Sequence, residues 1–193
     1  LFLSRLQHHG FFSYDVGYVV LCVIFVFVGA GAAAPILVNA LRNLEYRGYD
    51  SAGIATISDG RVCAEKDVGK LDQVCGKHDL DHLPGNIGIG HVRWATHGDV
   101  TQVNAHPHFD CKRQIAVVHN GIVENYQELR TRLESNHLFV SQTDTEVIPH
   151  LIEEYMDAGA SLEEAVLKAS KQLKGCYAFA AVSVKEPDRV VAT

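Results

Sequence analysis

The chain has 193 residues, 47% of them hydrophobic and 21% charged, a globular composition long enough for one domain with a substantial core. A net charge of −6, from 17 basic and 23 acidic residues with no Lys/Arg cluster, excludes a general nucleic-acid or acidic-membrane binder. The 5 cysteines are scattered and form no C-x-x-C pair, which argues against a disulfide framework and for a reducing, cytoplasmic compartment.

Residues 1–20 show no clear period and read as an atypical N-terminal extension, propeptide-like or non-native. One domain is expected over residues 21–193, truncated at its C-terminus, because the sequence opens on Leu1 and stops inside an apparent strand. From Val16 to Ala34 the chain is uncharged, and read alone that run fits a membrane span, a signal peptide or a buried strand. After Pro35, the residues Ile36, Leu37, Ala40, Leu41 and Leu44 fall on one helical face, with Gly48 placed to stop the helix. Residues 53–57 and 61–65 read as a hairpin around Ser58-Asp-Gly60. Loop with a short helix is expected over residues 66–86, then strands over 86–94 and 114–119.

A helix over residues 123–135 should bury Tyr126, Leu129 and Leu133. Thr143-Asp-Thr145 can cap the next helix, which runs through Met156, with Pro149 kinking or shifting its first turns. Ser161-Leu-Glu-Glu164 is a capping box that opens a third helix, ended by Gly175. Residues 176–184 and 189–192 complete the pattern as strands across a Glu186-Pro-Asp turn. Strands grouped around helix pairs, with few strand–helix–strand crossovers, indicate a layered α+β fold.

Uncommon polar residues crowd into Arg47-Gly-Tyr-Asp-Ser51, His91-Val-Arg-Trp-Ala-Thr-His-Gly98 with Asn104-Ala-His-Pro-His108, and His119-Asn-Gly121. Asn120 and the Gly121 N–H can converge on a developing oxyanion; the simpler reading is a strand-ending Asn-Gly turn. Arg93 offers a planar fork for a carboxylate, Trp94 a cover for a pocket, Thr96 and His97 hydrogen bonds, and Asp144 a partner for an ammonium. Taken singly, each reads more simply as an ordinary core, surface or turn residue. His106 and His108 could face one side of a strand. No thiol or carboxylate stands in a recognised ligand spacing, so no metal is expected, and Cys111 reads as an inert thiol.

Leu44-Glu-Tyr-Arg-Gly-Tyr-Asp-Ser-Ala-Gly53, His91–Gly98, Asn104–His108, Val118-His-Asn-Gly-Ile-Val-Glu-Asn-Tyr126 and Thr143-Asp-Thr-Glu-Val147 follow one another in order. Together they resemble the glutaminase domain of the glutamine–fructose-6-phosphate aminotransferase family. The resemblance implies a four-layer α/β/β/α sandwich of two antiparallel sheets, of the N-terminal-nucleophile hydrolase type. It also implies hydrolysis of glutamine by a cysteine whose own α-amine is the base, without a cofactor. The ammonia would serve the conversion of fructose 6-phosphate to glucosamine 6-phosphate in sugar-isomerase domains this sequence does not contain, in a full-length homo-oligomer.

Matched motif by motif, Asn120 and Gly121 are the implied oxyanion hole, and Arg93 and Thr96 the carboxylate binders. His97 supports their loop, Gly121 and Asp144 hold the α-ammonium, and Trp94 shields the site. Arg47 positions the nucleophile, with His106 as a second supporting residue. Sliding the family's Met-Cys-Gly-Ile start back from Arg47 without a gap lands the nucleophile on Cys22, and makes residues 22–28 a strand buried on both faces. That strand is expected at the sheet centre, beside residues 114–119 or 176–184. Val23 and Val26 replace family glycines and are expected to crowd the nucleophile.

With Leu1 to Leu21 attached, Cys22 has no free α-amine and little glutamine hydrolysis is expected; a chain starting at Cys22 should regain it. The alternatives are a catalytically inactive glutamine-binding or structural module, another class II amidotransferase, and a membrane-anchored form with residues 16–34 as a helix.

Overall fold

The computed structural model describes residues 23–44, 49–94 and 98–193. In chain order these form β1 (Val23–Val28), α1 (Ala33–Leu44), β2 (Ser51–Ser58), β3 (Arg61–Val68), α2 (Leu71–His78), β4 (Ile87–Arg93) and β5 (His108–Phe109). They continue as β6 (Ile115–Gly121), α3 (Tyr126–Leu133), α4 (Val147–Asp157), α5 (Leu162–Ser170), β7 (Tyr177–Ser183) and β8 (Glu186–Ala192). Short 3₁₀ turns cover Leu80–His82 and Asp144–Glu146.

The strands make two antiparallel sheets, ordered β1-β4-β2-β3 and β5-β6-β7-β8. Three apolar clusters hold four layers together. Leu37, Val38 and Leu41 of α1 pack with Leu71 and Val74 of α2 on Ala52, Ile54 and Val92 of the first sheet. Ala55, Ile87, Ile89, Ala116, Val118, Ala180 and Val182 fill the space between the sheets. Helices α3, α4 and α5 cover the outer face of the second sheet through Leu129, Leu151, Ile152 and Val166 on Val117, Phe179 and Ala181. This is the α/β/β/α sandwich that the motifs imply. Within each strand the two faces alternate, so Ala116, Val118 and Asn120 face the other sheet.

Helix α1 lies close on its sheet because Gly88 and Gly90 of β4 carry no side chain: a Cβ there would sit 3.0 Å from Leu37 and 2.9 Å from Leu41. Each fully buried leucine contributes about 1.5–3 kcal/mol. The buried stripe is Ala33, Ala34, Leu37, Val38 and Leu41, rotated from the expected face, and Ile36 is exposed. Pro35 stands in the first turn, where its missing N–H has no partner to lose. Pro149 is accommodated the same way, after a 3₁₀ turn that delays the start of α4 to Val147. The Ser161–Glu164 capping box forms as expected, with both bonds at 3.2 Å.

Several expectations need correction. Strand β1 pairs only with β4, at one edge of its sheet among the described residues, and not beside β6 or β7. It is not buried on both faces: Val23, Phe25 and Phe27 pack toward the α1 layer, while Val26 and Val28 are exposed. Val26 therefore does not overfill a packed core. Residues 23–28 are strand, not membrane helix, and among the described residues no helix is long and apolar enough to cross a membrane.

Helix α5 ends at Ser170, short of Gly175. Glu186-Pro-Asp lies inside β8 rather than in a turn; β8 is an edge strand among the described residues, and Pro187 falls in the irregular stretch of its pairing with β7, between the Ser183–Glu186 and Ala181–Val191 pairs. Over 66–86 the expected short helix is present as α2, while the end of β3 and a 3₁₀ turn take part of the expected loop. Cys22, Arg47, Gly48, Thr96 and His97 lie outside the described residues.

Candidate active site

The site forms where the two sheets meet at the C-terminal ends of β4 and β6. His91 and Arg93 are two residues apart on β4, hence on the same face, and both are buried. On the opposing sheet Asn120 occupies the matching face of β6. His91 Nε2 donates to Asn120 Oδ1 at 2.8 Å, which fixes the carboxamide with its NH₂ group turned away from His91. Burial pushes the His91 imidazole down to about 3, against the raising effect of the Asn120 bond, so the ring is neutral at neutral pH.

Gly121 follows with φ 109°, a conformation costly for a residue with a side chain. A Cβ there would lie 2.2 Å from Cys176 O and 2.7 Å from Tyr177 Cα. Glycine is required by both conformation and space, and the chain can then turn sharply between β6 and Val123. Asp144 accepts from Val123 N at 2.7 Å with its Oδ2, so this buried carboxylate is tied to the segment that leaves Gly121.

Every side chain of Thr143-Asp-Thr-Glu146 is buried and bonded. Thr143 Oγ1 meets His108 Nε2 at 3.2 Å, and Thr145 Oγ1 meets His119 Nδ1 at 2.9 Å. Glu146 accepts from Val140 N, Ser141 N and Ser141 Oγ at 2.9, 2.7 and 2.6 Å. Behind Asn120 the imidazoles pack on one another: His91 stacks on His106 with centroids 4.2 Å apart, and His106 meets His108 edge-on at 4.8 Å. His106 Nδ1 accepts from His119 N at 3.2 Å. Burial pushes His119 down to about 4, against the pull of Asp144, and His106 and His108 well below the usual histidine value.

Arg93 stands 3.9 Å from Asp50 Oδ1 through Nη1, so an internal carboxylate already neighbours its guanidinium. Trp94, next in the chain, is 42% exposed, which suits a cover better than a core residue. The structure thus brings Arg93, Asn120, Gly121, Asp144 and His106 into one connected region.

Sequence reasoning missed His91 as the anchor of Asn120, although it stands in the quoted His91-Val-Arg motif. It also missed Lys66. From β3, Lys66 Nζ donates to the carbonyls of Val103, Ala105 and Pro107 at 3.1, 2.6 and 2.8 Å, pinning the segment that carries Asn104 and His106. Burial pushes this amine down to about 7, with Glu146 opposing. A groove of about 660 Å³ between α5 and β8, lined in part by Leu167, Asp188 and Arg189, holds none of these groups.

Residues 91–193 match the glutamine amidotransferase domain family. The chain is 60% identical over 162 residues to a glutamine–fructose-6-phosphate aminotransferase (isomerizing) of Methanothermobacter thermautotrophicus, covering 83% of this chain and 27% of that protein. It is 48% identical to the protein of the same name from Pyrococcus horikoshii over 171 residues, 88% of this chain and 29% of that one. The chain therefore spans little more than a quarter of the length of these relatives. Among solved structures, a glutamine phosphoribosylpyrophosphate amidotransferase from B. subtilis superposes with a TM-score of 0.71 at 31% identity, over 83% of this chain and 35% of that one.

Proposed function

Because this chain belongs to the glutamine amidotransferase domain family, we propose that residues 21–193 act as a glutaminase domain that hydrolyses the side-chain amide of glutamine and passes on ammonia. The observation that carries this reading is the His91–Asn120 bond beside the obligatory glycine at 121. It presents a carboxamide NH₂ and a backbone N–H at one strand end, the donor pair an acyl-transfer oxyanion needs.

Cys22 is the nucleophile. It directly precedes β1, whose first residue Val23 pairs with Val92, the neighbour of Arg93. The Cys22 sulfur attacks the amide carbon, and its α-amine, free once Cys22 begins the chain, takes the thiol proton. Asn120 and Gly121 hold the resulting oxyanion. Collapse expels ammonia with that proton, and water then cleaves the thioester to glutamate. Arg93 and Thr96 take the α-carboxylate, Gly121 and Asp144 the α-ammonium, and Trp94 covers the site. Arg47, His97 and His106 support the nucleophile and the binding loops.

The relatives are named as glutamine–fructose-6-phosphate aminotransferases (isomerizing); on this reading the ammonia goes to fructose 6-phosphate, giving glucosamine 6-phosphate, in sugar-isomerase domains outside these 193 residues. The complete protein is then a cytoplasmic homo-oligomer.

The test is glutamine-dependent ammonia release by the chain beginning at Cys22. Release matched by glutamate, abolished in Cys22→Ala and lowered about 10²–10³-fold in Asn120→Ala, is expected. Glutamine binding without any release would make the chain a non-catalytic glutamine-binding module.

A further inference from the structure

Away from the site just described, four potential ligand atoms converge at the other end of β6. Cys111 lies in the turn between β5 and β6, His137 in the segment after α3, and His150 and Glu153 one turn apart on α4. One donor atom from each lies within 4.8 Å of all the others. The Cys111 sulfur is 3.6 Å from His137 Nδ1 and 3.7 Å from His150 Nδ1. Glu153 Oε2 is 3.0 Å from His137 Nδ1 and 3.5 Å from His150 Nδ1.

These spacings have a simple geometric meaning. Zinc–sulfur and zinc–nitrogen or –oxygen bonds of about 2.3 and 2.0–2.1 Å in a tetrahedron give edges of about 3.6 Å between S and N and about 3.3 Å between N and O. Four of the six edges, the two sulfur–nitrogen and the two nitrogen–oxygen ones at 3.0 to 3.7 Å, already stand near those values, and the remaining two are no longer than 4.8 Å. We propose that Cys111, His137, His150 and Glu153 form a tetrahedral zinc(II) site that ties the β5–β6 turn and the segment after α3 to helix α4.

Three further observations support a site built for a cation. Both imidazoles turn the same nitrogen, Nδ1, to the common point, and their other nitrogens face carboxylates: His137 Nε2 lies 3.8 Å from Glu154 Oε1, and His150 Nε2 lies 3.9 Å from Glu146 Oε1. Neither distance is a hydrogen bond, and the buried His150 Nε2 has no hydrogen-bond partner among the described residues; the two carboxylates stand as nearby negative charges, one short shift from the outer bonds that orient histidine ligands. Leu138 N donates to the Cys111 sulfur at 3.4 Å, a bond that favours a thiolate. The turn holding Cys111 is fixed by Asp110, whose Oδ1 accepts from Gln114 N and Ile115 N at 2.7 Å each.

A thiolate with two imidazoles selects zinc over harder cations, and the exposed cysteine gives an entry path to partners that are otherwise largely buried. Binding releases the Cys111 thiol proton to solvent. One thiolate and one carboxylate then balance the two positive charges. The proposal departs from the sequence expectation of no metal because only His150-x-x-Glu153 is a local pair.

The chain, reduced and stripped with a chelator, should retain one zinc ion after dialysis against excess zinc. Cobalt(II) in its place should give the intense visible bands of a tetrahedral ion with a sulfur-to-metal charge-transfer band. Cys111→Ser and Glu153→Gln, checked for folding by circular dichroism, should each weaken zinc binding at least ~100-fold, and Glu146→Gln by about 10–100-fold. In the unaltered chain, zinc should protect Cys111 from alkylation while Cys176, also exposed, stays reactive. No retained zinc, an octahedral cobalt spectrum, undiminished binding in a folded Cys111→Ser chain, or equal alkylation of Cys111 and Cys176 with zinc present would each overturn the proposal. If Cys111→Ser fails to fold, the alkylation pattern decides.

Discussion

His91 on β4 and Asn120 on β6 belong to different sheets, yet their side chains meet at 2.8 Å. The bond makes an oxyanion donor depend on a residue that need not touch substrate. His91→Leu is expected to lower kcat about 10–100-fold with little change in KM, less than the roughly 10²–10³-fold loss for Asn120→Ala. The double variant should be no worse than Asn120→Ala alone, since both changes remove one interaction. Ammonia-release kinetics of the four chains, each beginning at Cys22, check this; additive losses would show that His91 acts elsewhere.

Arg93 and Lys112 differ as carboxylate partners. Arg93 is buried beside the site, whereas Lys112 is half-exposed and engaged with Asp157 at 2.5 Å. Charged hydrogen bonds contribute about 1.5–3 kcal/mol each. Arg93→Ala should therefore weaken glutamine binding at least tenfold, and Lys112→Ala hardly at all. Calorimetric titration with glutamine reads the difference, and equal affinities would remove Arg93 from substrate recognition.

Gly121 and Gly159 both have positive φ, 109° and 93°, but only Gly121 has neighbours where a Cβ would go. Gly159→Ala should cost the conformational strain alone, about 1–3 kcal/mol. Gly121→Ala adds a backbone clash and should cost more, with loss of activity. Urea unfolding of the two variants measures the gap, and equal costs would mean that the β6–β7 junction yields freely.

His91, His106, His108 and His119 are buried with imidazoles below the ordinary value of 6.5. Their folded forms bind fewer protons than the unfolded chain, so unfolding takes up protons in acid. This stability is complete above about 6.5 and is lost as pH falls toward about 4 for His119 and about 3 for His91. Each group contributes at most about 1.4 kcal/mol per pH unit in its window. The urea midpoint should therefore drop most steeply between about pH 6 and about pH 4, and less steeply in His108→Gln. A flat profile would mean that these rings are charged in the folded protein.

Elements with a strong local signal were legible. The hairpin appears where Ser58-Asp-Gly60 predicts it, with positive φ at Asp59 and Gly60, and the capping box sets the start of α5. The placement of β1 was not legible, because an apolar run such as Val23–Val28 reads alike at the centre of a sheet and at an edge packed on a helix. The face of α1 was misread for a related reason: Ile36 and Val38 are equally apolar, and only the glycines of β4 decide which side comes close.

Within the site, the motifs single out Asn120, Gly121, Arg93 and Asp144; the structure buries Arg93 and Asp144, holds Asn120 against His91 and leaves no room for a side chain at Gly121. Lys66 carried no such signal. Its partners lie some 40 positions along the chain, as the 37 to 41 residues separating it from Val103, Ala105 and Pro107 show, and a lone lysine in a strand reads as solvated.

The layer between the sheets is built largely from short side chains, with Ala55, Ala116 and Ala180 among them. It therefore works as a spacer of fixed thickness, and the His91–Asn120 bond gauges that thickness. A thicker spacer would open the bond without touching any polar group. Ala116→Val, four residues from Asn120 on the same face and so about 13 Å away along the strand, should lower kcat while leaving glutamine affinity nearly unchanged. An unaltered kcat in that variant would show that the sheets absorb the added methyl groups locally. On this account the tolerance of the chemistry to mutation is set less by the residues around the substrate than by how evenly the two sheets are held apart.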